Sequence, residues 1–141
     1  MNIKIANTPI QMLNVLKESN AELRGKCFDN CLLAVVSLHP SNKLSYILGF
    51  LTPPGHASVA HAWLQHDGED GPIYLDPTLQ DSSHLWNISK QDFIYDMRYK
   101  FNKEQLLQYL QAKYPNQELG TEGVPKGAIL GPTLSDTGEL L

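Results

Sequence analysis

Cysteine is scarce in this chain: Cys27 and Cys31 are the only two among 141 residues. Four apart on a helix, their Cβ atoms would stand roughly 5–6 Å from each other, whereas a disulfide wants about 3.8 Å. The pair reads as free thiols in a reducing compartment, and the fold must be held by its core. Hydrophobic residues make up 42% of the chain, enough for such a core. Long apolar runs are lacking as well. No stretch approaches the roughly 18 apolar residues of a membrane span, and the opening MNIKIANTPIQML has no signal-peptide run. The expectation is a soluble, cytoplasmic protein with no membrane partner; export without a signal stays open. Clusters of Lys and Arg are missing and the formal net charge is −4, which argues against nucleic acid as a partner. Neither an internal repeat nor a second domain is visible. Residues 1–118 are expected to form one domain. Residues 119–141, rich in Gly, Pro and Thr without periodicity, read as a flexible or loosely docked tail: a lid, a partner contact, or an end with no role.

What is present centres on Ser58 to Thr78, SVAHAWLQHDGEDGPIYLDPT. Two runs of β character flank a loop of Asp, Gly and Glu from Asp67 to Gly71, the usual sign of an antiparallel hairpin. Pairing Gln65 with Pro72 at the neck sets His61 directly opposite Asp76 on one sheet face. A carboxylate facing an imidazole fixes its tautomer and stabilises its charged form.

The rest of the chain supplies the frame. Thr8 to Ser19 predicts a first helix, capped by Thr8 with Pro9 at its first position. A second helix is expected from about Cys27 to Leu38, apolar nearly all round and therefore buried. Cys27 then sits in its first turn, where free backbone N–H groups and the helix dipole favour a thiolate. Leu44 to Thr52 reads as a strand, and so, by alternation, does Asp92 to Tyr99. Gln80 to Asn87 reads as a loop anchored by Trp86. Asn102 with Gln105 forms a variant capping box for a third helix that Pro115 ends.

Cys27, His61 and Asp76 together supply nucleophile, base and orienting acid. Singly, each has a plainer reading: a buried thiol, a satisfied strand residue, a turn former. Cys31, inside the apolar run, reads as structural, and Asn30 as a helix residue bonding a nearby loop. Trp63, on the same strand face as His61, reads as core or as a groove wall. Zinc is the weaker alternative, because His56, His61 and His66 are five apart and a strand alternates such residues between faces.

GKCFDNC at Gly25 to Cys31, HAW at His61 to Trp63 and LDPT at Leu75 to Thr78 resemble papain-like and transglutaminase-like cysteine enzymes, most of all small bacterial or phage-type members. The resemblance covers little more than a third of the chain. It implies an α+β fold with the Cys27 helix packed on an antiparallel sheet of three or four strands. It implies Cys27 as nucleophile, His61 as base and Asp76 as orienting acid, with no cofactor. Papain-like members carry a Gln before the Cys as oxyanion donor; here SNAELRGK has none, leaving Asn20 or the backbone. The expected activity is that of a thiol-dependent hydrolase, deamidase or acyl transferase acting on an amide or acyl bond of a protein, a peptide or a small amide. The alternative is a catalytically silent binding module on the same fold.

Overall fold

The computed structural model describes residues 5–6, 14, 27–38, 43–78, 93–120, 123–126 and 130–141. Among them are the strands β1 (Ile5–Ala6), β2 (Leu44–Thr52), β3 (Val59–Gly68), β4 (Gly71–Leu75) and β5 (Ile94–Phe101). Two α-helices accompany them, α1 (Cys27–Leu33), which runs on as a π-helical turn (Ala34–Leu38), and α2 (Lys103–Lys113). The fold is α+β, and the strands make a five-stranded sheet in the order β1-β4-β3-β2-β5.

The apolar run LSYILGFLT puts β2 inside the sheet, between β3 and β5 and antiparallel to both. Side chains alternate along a strand, so β2 feeds both faces. Leu44, Tyr46 and Leu48 join a core cluster with Cys31, Leu32 and Val35 of α1 and Leu106 and Leu110 of α2. Ile47 and Leu51 join a second cluster with Ile5, Trp63, Phe93 and Tyr95. Glycine is required in β2 at Gly49, where a Cβ would collide with the Asp96 carbonyl oxygen and approach Trp63 Cη2 to 2.8 Å.

The helices start where the sequence predicts. Cys27 opens α1. Asn102 Oδ1 accepts from the Gln105 N–H at 2.8 Å while Gln105 Oε1 accepts from the Asn102 N–H at 2.9 Å, a complete capping box for α2. On β5, Tyr99 lies opposite Leu48 but Met97 lies opposite Gly49, so Arg98 is an extra, bulged residue. A bulge on an outer strand twists it and discourages a further strand from adding there.

Two expectations change. Among the described residues the sheet has five strands rather than three or four, and it is mixed, because β1 runs parallel to β4 with Ile5 opposite Tyr74. A two-residue strand carries no period by which a sequence could reveal it. The described part of 119–141 is docked rather than loose. Leu134 is buried in the first cluster, the Tyr46 hydroxyl donates to the Pro132 carbonyl at 2.6 Å, and the Tyr109 hydroxyl donates to the Leu141 carbonyl at 2.6 Å. Short bridges, Leu119 with Pro125 and Leu134 with Leu140, give this segment its own local order. Among the described residues its contacts run to β2 and to α2.

Of the expected first helix only Asn14 is described, and it is helical. Asn20 and the Gln80 to Asn87 loop with Trp86 lie outside the described residues. No helix among the described residues is long and apolar enough to cross a membrane.

Candidate active site

The hairpin forms with a tighter turn than the sequence suggests. Gly68 pairs with Gly71, leaving only Glu69 and Asp70 between the strands. Gly71 has φ +109°, a conformation that favours glycine. The register is therefore two residues away from the expected one: Asp67, not Gln65, lies opposite Pro72, and Gln65 lies opposite Tyr74. The Asp67 N–H turns the other way, to the Lys43 carbonyl at 2.9 Å, which suits a partner that has no N–H to exchange.

A slip of two residues keeps every side chain on its face. His61 and Asp76 are thus not direct cross-strand partners, yet they still meet. β4 ends at Leu75, opposite Leu64, and Asp76 lies just past the strand end, diagonal to His61. His61 Nε2 and Asp76 Oδ2 are 2.7 Å apart. Both residues are buried, Asp76 fully. The chain becomes helical at Pro77, whose fixed φ suits a first helical position.

Burial alone would disfavour a charged His61. The Asp76 carboxylate outweighs it through its charge and its hydrogen bond, and Cys27 adds a hydrogen bond and charge of its own. Together they push His61 from its ordinary 6.5 up to about 10. With Nε2 committed to Asp76, Nδ1 is the ring nitrogen open to the Cys27 thiol. Cys27 itself is nearly buried, at 9% relative exposure. All three residues that the sequence singles out are therefore brought together.

The neighbours of this group divide by role. Cys31 is fully buried, and burial first, then the charges of Asp76 and Cys27, hold its thiol well above the ordinary range. It stays protonated, in keeping with a structural part. Asn30 Nδ2 donates to Thr78 Oγ1 at 2.8 Å, tying α1 to the segment after Asp76. Trp63 is fully buried core, not an open groove wall. Its ring stacks on His61 with centroids 6.2 Å apart.

Sequence reading missed Tyr95. Its hydroxyl donates to the same Asp76 Oδ2 at 2.8 Å. The alternation of Phe93, Tyr95, Met97 and Tyr99 marks a strand, but nothing in it reveals that β5 lies beside β2 rather than β4. His56 and His66 are not drawn into the site: among the described residues no group of three or more His, Cys, Asp or Glu side chains is arranged to hold a metal ion.

Comparison of the chain with protein-family models, with curated proteins and with solved structures finds no match.

Proposed function

We infer that the chain is a thiol-dependent enzyme of papain-like or transglutaminase-like kind that acts on an amide or acyl bond through a thioester on Cys27. The observation that carries this reading is the buried 2.7 Å contact between His61 Nε2 and Asp76 Oδ2, with Cys27 interacting with the same imidazole. Salt-bridge pairs are common on protein surfaces. A histidine held on one side by a buried carboxylate and on the other by a cysteine at a helix start is suited to nucleophilic catalysis.

On this reading each residue has a role. Asp76 holds the imidazole with its Nε2–H toward the carboxylate and stabilises the imidazolium. His61 takes the thiol proton, leaving the Cys27 thiolate to attack the carbonyl carbon. A C–S bond forms and the carbonyl pair moves onto oxygen. A backbone N–H at the start of α1, such as that of Cys27, would be the donor for that oxyanion. Collapse breaks the C–N bond, and His61 gives its proton to the leaving amine. Water then adds to the thioester, His61 accepts its proton, and the thiolate departs. With ammonia as leaving group the net reaction is deamidation; with a peptide amine, proteolysis; with a second amine in place of water, acyl transfer.

The near burial of Cys27 favours a second reading, a binding module that keeps the fold without turnover. An activated ester separates the two. With p-nitrophenyl acetate, the enzyme reading predicts a burst of nitrophenolate and an acetyl group on Cys27, both lost in Cys27→Ser. Absence of any Cys27 adduct at millimolar ester favours the binding module.

A further inference from the structure

Tyr95 reaches the site from β5, across β2 from the strand that carries His61. Its hydroxyl donates to Asp76 Oδ2 at 2.8 Å, the oxygen that also meets His61 Nε2 at 2.7 Å. Its ring meets Trp63 edge to face, with centroids 4.9 Å apart and planes at 71°. Trp63 in turn stacks on His61 at an interplanar angle of 21°. Tyr95 thus touches both neighbours that orient the imidazole, one at its edge and one at its face.

From these contacts we propose that Tyr95 is a positioning residue for His61, its hydroxyl holding the Asp76 oxygen that faces the imidazole and its ring bracing Trp63 against the imidazole. The role in chemistry rests on the thiol-enzyme reading; the role in holding His61 does not. A phenol fits the task. Its rigid ring spans the distance from β5, and it offers one O–H donor. Burial and the Asp76 charge push its ionisation well upward, so the hydroxyl stays a donor through the neutral range. Sharing Oδ2 between two donors also tempers the pull of the carboxylate on the imidazolium. Among the described residues, the titratable groups around the pair are Cys27 and Cys31 from α1, Asp76 after β4, and Tyr95 itself.

Tyr95→Phe removes only the hydroxyl and keeps the ring. NMR of the ¹⁵N-labelled imidazole should put the His61 titration midpoint about one unit above wild type, the change expected when one hydrogen bond to a charged group is lost. Tyr95→Leu, which also removes the brace, should in addition move the ring-current-shifted His61 carbon-bound protons. A midpoint in Tyr95→Phe equal to wild type overturns the proposal. Should the variants not fold, the wild-type protein still decides it. A slowly exchanging Tyr95 hydroxyl proton with a cross-peak to the His61 Nε2 proton supports the assignment, and its absence refutes it. Alkylation of wild-type Cys27 in the same samples reports separately on the enzyme reading. A Cys27 no faster than free cysteine removes that reading while the His61 result stands.

Discussion

Asn30 and Thr78 share a buried 2.8 Å hydrogen bond although 48 residues separate them. Asn30 follows Cys27 by less than one helical turn, and Thr78 closely follows Asp76. This bond therefore ties the start of α1 near Cys27 to the segment that carries Asp76. Asn30→Ala should cost about 1–3 kcal/mol, because the bond is lost inside the protein. It should also slow Cys27 alkylation, since the helix start loses its tie to the Asp76 segment. Urea denaturation and alkylation kinetics check both effects; a variant with wild-type stability and wild-type alkylation contradicts the assignment.

The C-terminal segment is predicted to matter for stability. Ending the chain at Glu118 removes Leu134 from the core and takes the Pro132 acceptor from the buried Tyr46 hydroxyl. A loss of at least about 2 kcal/mol should follow. Leu134→Ala alone should cost about 2–5 kcal/mol, the usual range for a buried leucine. An unchanged melting temperature in the truncated protein would mean that the segment is not part of the core.

Asp76→Asn ties pH to both stability and reactivity. The His61 pKa is raised in the folded protein, from 6.5 to about 10. The resulting stability is fully present below pH 6.5 and is lost as pH rises through about 10. The stability gap between wild type and Asp76→Asn, measured by urea denaturation from neutral to alkaline pH, should therefore narrow toward pH 10. A gap independent of pH contradicts the pairing. Turnover on an activated ester should fall by a factor between modest and about 10⁴, the loss seen when a Ser-type triad loses its acid. The thiol places the expectation toward the lower end, since a thiolate–imidazolium pair can persist without the acid.

Much of this arrangement is legible in the residues. The LSYILGFLT run, the cap at Asn102 and the helix that opens at Cys27 each carry a local signal, and each element forms where that signal lies. The pairing of His61 with Asp76 is legible for a subtler reason. The hairpin register is shifted by two residues from the one the DGEDG loop suggests, but an even slip preserves the sheet face. What the sequence hides is non-local. Tyr95 depends on strand order, β1 on a parallel pairing of two residues, and the docked C-terminal segment on tyrosine hydroxyls bonding backbone carbonyls. None of these leaves a period or a motif.

If His61 activates Cys27, the alkylation rate of Cys27 reports it. Iodoacetamide is applied to the wild-type protein and to His61→Ala from pH 5 to 9, with Cys31 as an internal reference and each site read by mass spectrometry. Near pH 6 wild-type Cys27 should react at least about tenfold faster than free cysteine, Cys31 should stay unlabelled, and His61→Ala should abolish the advantage. A Cys27 that reacts no faster than free cysteine, and at the same rate with or without His61, would contradict that activation.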